Sequence, residues 1–354
     1  MSDAPKPLLS VEELCVSFNT EDGLLKAVDG VSFTIAPGEI VALVGESGSG
    51  KSVTAMTLLG LTRSPNSRFE GRATLDETEL IQASEDELES IRGNEIAMVF
   101  QDPMSSLDPV YRVGDQIAEQ ILAHEPKTSK QQALDRAVEL MRRVGIPRAE
   151  ERVTAYPHEF SGGMRQRVMI AMALSCSPRL LIADEPTTAL DVTIQAQIVN
   201  ELKQLRDETG ASVLLVTHDL ALVADVADRV LVMYAGRLVE QCDLDETFYN
   251  PQHPYTWGLL GSRPRIDSGE ERLSAIPGAP PSLLDPPQGC RLQPRCPFAF
   301  EKCGAEPALE SRLPSLPAHL DRCWLTPDEK RELRERDGAI GLFIPEAAAA
   351  EDGA

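Results

Sequence analysis

The chain has no long apolar run, few aromatic residues and a shortage of positive charge. Aromatics make up 5% of 354 residues, and 34 Lys and Arg face 56 Asp and Glu, for a net charge of −22. A field of that sign repels polyanions, so nucleic acid is not an expected ligand. It also disfavours direct docking on an anionic lipid surface, so any membrane association is expected to go through a protein partner. The most apolar uncharged stretches, Ser52–Thr62 and Val168–Pro178, reach about half of the roughly 20 residues that a spanning helix needs. The start, Met1-Ser2-Asp3-Ala4-Pro5, has no basic stretch leading into an apolar core, which predicts no signal peptide and a cytosolic chain. Low-complexity repeats are also missing. The densest acidic stretch, Asp76–Glu95, holds eight acids and one Arg and reads as a solvated face.

What is present suits a soluble α/β protein of two or three domains: 42% hydrophobic residues and short apolar runs alternating with helical patterns. Five runs read as strands: Ile40–Val44, Ile96–Phe100, Leu180–Ala183, Val213–Val216 and Val230–Met233. A helix is expected to begin near Lys51. Another is expected over Thr193–Thr209, where Ile194, Ile198, Leu202 and Leu205 share one face and Gly210 is placed to stop it. Between about Asp108 and Phe160 strand signals vanish, and Leu134, Val138, Met141 and Val144 recur at helical spacing within Ser129–Val144. This reads as a helical insertion. After about Asp245 comes a Pro-rich connector, Pro277–Pro287, then a cluster of cysteines, and an Ala-rich acidic end from Glu346 to Ala354.

Chemistry gathers where strands end. Gly45-Glu46-Ser47-Gly48-Ser49-Gly50-Lys51-Ser52 follows an apolar strand and precedes a helix, the setting of a phosphate-binding loop. Its glycines turn backbone N–H groups toward phosphate oxygens, and the helix N-terminus adds favourable dipole. Lys51 is placed to neutralise β/γ-phosphate charge, and the Ser52 hydroxyl to ligate Mg²⁺. Asp184-Glu185 closes another strand. Asp184 is placed to hold the Mg²⁺ shell, and Glu185 to polarise the attacking water; an acid pair there also suits a helix cap. Gln101 and His218 follow two more strands. In open parallel sheets ligands bind beyond the carboxyl ends, so Gln101 is expected to complete the Mg²⁺ shell and His218 to position the γ-phosphate and water. Ser161-Gly162-Gly163 opens a helix upstream of the acid pair.

With these residues the chain resembles the ATP-binding subunits of ABC transporters over about Leu8–Asp245. Gly45–Ser52 is similar to the Walker A motif, Gln101 to the Q-loop and Ser161–Gln166 to the signature. Leu180–Glu185 is similar to Walker B, Ala189-Leu190-Asp191 to the D-loop and His218 to the switch histidine. The signature departs from the common pattern, with Met164 where Gln often stands, but its Ser-Gly-Gly is intact. The resemblance implies adenine stacking on an upstream aromatic; Phe18 is the candidate, and a buried strand role suits it equally.

Tyr156-Pro157-His158, the runs Met164–Leu174 and Thr187–Gln197, and His253-Pro254-Tyr255-Thr256 resemble the dipeptide/oligopeptide permease ATPases. That likeness implies an ATPase energising import, with a second homologous ATPase subunit, two membrane permease subunits and an extracytoplasmic binding protein. It places the chain peripherally on the cytoplasmic face of the membrane, with Gln101–Pro109 receiving a coupling helix. Ser161, Gly162, Gly163 and Asp191 are then expected at the nucleotide of the closed pair. Import of nickel, glutathione or an opine stays open, as do a soluble ABC ATPase and a redox sensor. The expected architecture is an α/β P-loop ABC ATPase core in two parts, 1–107 and 176–245, with a helical subdomain at 108–175, a Cys-containing extension at 246–338 and a tail at 339–354.

Seven cysteines are present. Cys15, Cys176 and Cys242 sit among apolar neighbours and read as plain buried thiols. Cys290-x5-Cys296-x6-Cys303-x19-Cys323 is clustered. Two disulfides suit a secreted module rather than a cytosolic one, and zinc sites show tighter Cys pairs. An iron–sulfur cluster tolerates such varied loops, and the family resemblance implies a [4Fe–4S] cluster at this place. Zinc and unliganded thiols remain alternatives.

Overall fold

A computed structural model describes residues 6–102, 106–187, 192–261, 276 and 278–336. Its centre is a sheet in which β3 (Ile40–Val44) pairs in parallel with β9 (Arg229–Tyr234) on one side and β8 (Ser212–Thr217) on the other. Beyond β8 lie β7 (Leu180–Asp184) and β6 (Ile96–Val99), also parallel. β10 (Arg237–Asp243) and β11 (Leu320–Asp321) extend the far edge antiparallel, giving the order β11-β10-β9-β3-β8-β7-β6. Strands β3, β7 and β8 are buried at every position, as expected of parallel strands covered on both faces. Their residues alternate between two cores. Ile40, Ala42 and Val44 face one, while Val41 and Leu43 face the other.

One core is closed by helices: α3 (Val113–His124), α4 (Lys130–Arg143), α6 (Gly162–Ala173) and α7 (Val192–Thr209). Ser129 caps α4 in a capping box with Gln132, and Gly210, at φ 70°, ends α7 in the left-handed conformation. The single turn α5 (Ala149–Arg152) completes a strand-free stretch among the described residues between β6 and β7. The other core is covered by an antiparallel sheet, β2-β1-β4-β5, formed by β1 (Leu9–Thr20), β2 (Gly23–Ile35), β4 (Ser67–Leu75) and β5 (Thr78–Glu79).

This second sheet is absent from the sequence reading. The reason is local. Glu13 adopts φ 47°, and register shifts interrupt β1 between Val11 and Leu14 and again between Leu14 and Ser17. Bulges of this kind break the period-2 pattern on which strand recognition depends. The acidic stretch Asp76–Glu95 is more than a solvated face. Glu85, Asp86 and Glu87 occupy the first turn of α2 (Glu85–Ile91), where the helix dipole favours them, and Asp76 pairs with Arg179 at 2.5 Å.

The remaining helices are α1 (Lys51–Leu58), α8 (Leu220–Val223), α9 (Leu244–Tyr249), α10 (Pro254–Gly261) and α11 (Pro327–Arg336). Among the described residues no helix is long and apolar enough to cross a membrane. β3, the first strand of this sheet in chain order, lies between β8 and β9, while the next, β6, is at the far edge. The crevice of an open α/β sheet lies beyond the carboxyl ends of its strands.

Candidate active site

A cavity of about 820 Å³ opens at the carboxyl end of β3. Glu46, Ser47, Gly48, Gly50, Lys51 and Ser52 form its floor, and Gln101, Glu185 and His218 reach it from the ends of three other strands. Loop and strand ends thus meet as the sequence predicts. The loop is tightly seated. A side-chain carbon at Gly45 (φ 156°) would lie 2.1 Å from the Met233 carbonyl oxygen, and one at Gly50 (φ 105°) would lie 2.4 Å from that of Ala27. Neither position tolerates a larger residue, because both the left-handed conformation and the close backbone require glycine.

Lys51 is buried, and its ammonium donates to the carbonyls of Gly45 at 2.7 Å and Glu46 at 3.0 Å. Burial pushes its pKa down, against the raising pull of Glu185, Asp184 and Glu46. The Ser52 hydroxyl donates to Asp184 at 2.9 Å. Burial pushes the Asp184 carboxyl up, opposed by the Ser52 bond, and the neighbouring Glu185 charge adds to the rise. A cation and a carboxylate are therefore both held against their desolvation cost, an arrangement common at sites that await a charged ligand.

Glu185 is the meeting point. Its Oε2 accepts from the Gln101 amide at 3.1 Å, and its Oε1 lies 3.3 Å from His218 Nδ1. The Glu185 backbone has φ 45°, and its N–H donates to Val216 at 2.8 Å. A positive φ in a non-glycine residue costs on the order of 1–3 kcal/mol and persists where the surroundings enforce it. Here it turns the carboxylate off the end of β7 toward the cavity. Gln101, Glu185 and His218 thus form one polar cluster above Lys51 and Ser52.

The other expected site residues lie apart. Ser161 caps α6, accepting the Met164 N–H at 3.3 Å, and Ser161 and Gly162 are exposed, with Gly163 half-buried. None of the three lines the cavity. Ser49 is buried beneath the loop and is also not part of the wall. Asp191, with Ala189 and Leu190, lies outside the described residues. Phe18 does not line the cavity either. It packs half-buried on the antiparallel sheet, directly across from Leu25, which does line it. Directly opposed residues of an antiparallel pair share a face, so Phe18 stands one strand back from the wall.

The apolar side of the cavity is instead Leu25 and Ala27 from β2 with Leu259, Ile276 and Leu283 from beyond β10. Sequence reasoning missed these last three. Leu259 on α10, and Ile276 and Leu283 at the Pro-rich connector, are aliphatics that carry no motif, and only the fold brings them to the loop. His253-Pro254-Tyr255-Thr256 is legible as a run but not as a support. His253 is buried and accepts the Tyr255 N–H at 3.2 Å, and the Tyr255 hydroxyl accepts the Glu46 N–H at 2.7 Å. The segment therefore braces the phosphate loop from below.

Residues 28–188 match the family described as ABC transporter, and residues 239–303 match the oligopeptide/dipeptide transporter, C-terminal region. The oligopeptide transport ATP-binding protein OppD of Bacillus subtilis is 54% identical over 296 residues, spanning 83% of this chain and 82% of its own length. This chain belongs to the ATP-binding proteins of the oligopeptide/dipeptide ABC transporter family. The dipeptide transport ATP-binding protein DppD of Lactococcus lactis is 50% identical over 344 residues, with 96% of this chain and 97% of its own covered. A solved ATP-binding cassette dimer in a post-hydrolysis state, bound to ADP and Pi, is similar at a TM-score of 0.61 and 28% identity. It covers 67% of this chain and 98% of its own.

Two further groups lie outside the cavity in this family member. Cys290, Cys296, Cys303 and Cys323 are free thiols that line one small void with Phe298, Trp324 and Leu325. Glu240, Cys242 and His319 place their donor atoms within 4.8 Å of one another. The Glu240 carboxylate is already well partnered: it accepts from His319 Nε2 at 2.7 Å and His253 N at 3.1 Å, and also from Gln252 N and the Thr256 hydroxyl. Glu240 thus pairs with His319 beside β11 and, through Thr256, fastens α10 to β10.

Proposed function

We infer that the chain binds MgATP at Lys51 and hydrolyses it to drive import of peptides through a membrane permease. The convergence of Gln101 and His218 on Glu185 above Lys51 is the observation that carries this reading. Lys51 holds phosphate charge, and the N–H groups of the loop and of α1 receive phosphate oxygens. Ser52, Asp184 and Gln101 would hold Mg²⁺, which when bound neutralises charge on the phosphates. Glu185 accepts the proton of the attacking water, and His218, sharing its carboxylate, orients that water and the γ-phosphate. Leu25, Leu259, Ile276 and Leu283 offer an aliphatic seat for the base, with Phe18 adjoining. Glu185→Gln in the assembled transporter is expected to keep MgATP binding and to lower turnover about 10²–10⁴-fold. Unchanged ATPase activity sinks the assignment of Glu185.

The Ser161–Gly163 turn, exposed at Ser161 and Gly162, supports action on a nucleotide held by another subunit, and Asp191 belongs with it in this reading. We take that subunit to be a second, homologous ATPase. The dimeric state of the solved relative supports such a pair. A groove of about 960 Å³ lined by Leu61, Phe100, Ser106, Gln120 and Met172 is the surface offered to a permease; Val110 and Tyr111 stand exposed beyond it at 72% and 60%. The two permeases and an extracytoplasmic binding protein complete the assembly, which places the chain on the cytoplasmic face of the membrane. The division into a core (1–107 and 176–245), a helical subdomain (108–175) and an extension (246–338) goes with this assignment.

The reading extends to the four clustered cysteines, which line one void together and are proposed to hold a [4Fe–4S] cluster. Burial pushes the thiols of Cys290 and Cys296 up to about 11 and that of Cys323 up to about 12, so thiolates form there only when a cation binds. Broad visible absorption in anaerobically purified protein supports the cluster. Colourless protein with stoichiometric zinc rejects it.

A further inference from the structure

Glu46 is the one residue of the phosphate loop gripped from three sides. Its N–H donates to the Tyr255 hydroxyl at 2.7 Å, and its carbonyl accepts from Lys51 at 3.0 Å. Its carboxylate receives both arms of the Arg295 guanidinium, at 2.8 and 3.1 Å. Paired parallel bonds of this kind fix orientation as well as position. The Arg295 side chain is 5% exposed. It also donates to the Tyr234 hydroxyl at 3.2 Å and to the Ile276 carbonyl at 3.1 Å, and it lies over the Tyr234 ring at 5.8 Å. The Tyr234 ring touches that of Tyr255, with centroids 4.6 Å apart. Glu46, Arg295, Tyr234 and Tyr255 therefore close a ring of contacts around the loop.

Arg295 comes from the four-cysteine segment. It ends a short turn, Gln293–Arg295, between Cys290 and Cys296, and its own N–H and that of Cys296 both donate to the Leu292 carbonyl, at 2.8 and 2.9 Å. The backbone turn between the two cysteines thus carries the guanidinium. Hydrolysis itself asks nothing of this segment, yet its arginine ends on the residue that holds Lys51.

We propose that Arg295 is a positioning residue for ATP, tying the four-cysteine segment to the phosphate loop through Glu46. The integrity of that segment then sets the loop's affinity for phosphates. This rests on the reading of Gly45–Ser52 as a nucleotide site. The groups around Glu185 are untouched by the link, so its loss weakens binding more than the chemical step.

The test measures MgATP binding by equilibrium dialysis on the full chain. Arg295→Gln is expected to weaken binding about 10-fold, the size of a lost charged hydrogen-bond pair. Glu46→Gln, which alters no residue of the cysteine segment, is expected to match it, and Arg295→Lys to recover part of the loss. The double variant Glu46→Gln/Arg295→Gln is expected to be no weaker than either single one. Cys296→Ser is expected to weaken binding when Arg295 is present and to add nothing to Arg295→Gln. In the assembled transporter, Arg295→Gln is expected to raise KM for ATP while kcat stays within about 2-fold. Unaltered MgATP affinity in Arg295→Gln and Glu46→Gln overturns the tether, as does simple additivity of the two. Failure of the unaltered chain to bind MgATP overturns the nucleotide site itself.

Discussion

The chain carries two glycine-rich turns that open helices, and they differ in how far they are built. In Gly45–Ser52 the glycines press on the backbones of Met233 and Ala27, Lys51 is buried, and Tyr255 and Arg295 hold Glu46 from outside. In Ser161–Gly163 the serine hydroxyl caps its own helix, and Ser161 and Gly162 face solvent. The first turn is a finished receptor. The second is a capped turn that lies outside the cavity at the first. An ATPase that works alone has no use for the second; a subunit that closes on a partner does.

The comparison breaks most visibly at Lys51. Lys51→Ala is expected to reduce MgATP binding by the chain at least about 10²-fold, because a buried cation aimed at phosphate has no substitute. Equilibrium dialysis checks it. Ser161→Phe is expected to leave binding by the isolated chain within about 2-fold, yet to lower ATP turnover of the assembled transporter roughly 10²-fold. Steady-state phosphate release reads that loss. Equal binding losses in the two variants would erase the distinction between the turns.

A smaller effect concerns stability. Gly45→Ala is expected to destabilise the fold by about 1–3 kcal/mol, since the added carbon meets the Met233 carbonyl and the φ is strained. Gly162→Ala, at an exposed first helical position, is expected to raise the melting temperature slightly or leave it alone. Differential scanning calorimetry separates the two.

The mildest prediction is a pH dependence in the brace beneath the first turn. Burial pushes the pKa of His253 down from 6.5 to about 3. The imidazole stays neutral in the fold where the unfolded chain takes up a proton. Its contribution is whole above about pH 6.5 and falls as pH drops from there toward 3, by at most about 1.4 kcal/mol per pH unit. His319 acts in the other direction. The Glu240 bond and the charges of Glu240 and Glu246 raise its pKa against burial, so its contribution is whole below about 6.5 and is lost as pH rises through the raised value. His253→Asn keeps an acceptor for the Tyr255 N–H and is expected to flatten the acid limb of a urea-midpoint profile. An unchanged limb assigns that acid sensitivity to other groups.

The same contrast explains what the sequence discloses. Strands buried on both faces, such as Ile40–Val44 and Leu180–Asp184, announce themselves as continuous apolar runs, and the residues at their ends carry the chemistry. Gln101, Asp184, Glu185 and His218 are legible because a parallel sheet gathers its strand ends in one place. The bulged strand Leu9–Thr20 is not, because Glu13 and its register shifts break the alternation. Leu259, Ile276 and Leu283 are aliphatics without a pattern, and Arg295 is one arginine among many until the fold delivers it to Glu46. Phe18 is read equally as a base-stacking aromatic or a strand residue; in the fold it packs half-buried on its strand, and its cross-strand neighbour Leu25 lines the wall.

The central claim is that the two turns serve different nucleotides. Photolabelling of the assembled transporter with an azido-ATP under vanadate trapping, one subunit at a time, tests it most directly. With Ser161→Phe in this chain, trapped label is predicted to disappear from the partner ATPase and to persist on this chain's own Lys51 site. Loss of label from this chain with the partner still labelled would contradict the account.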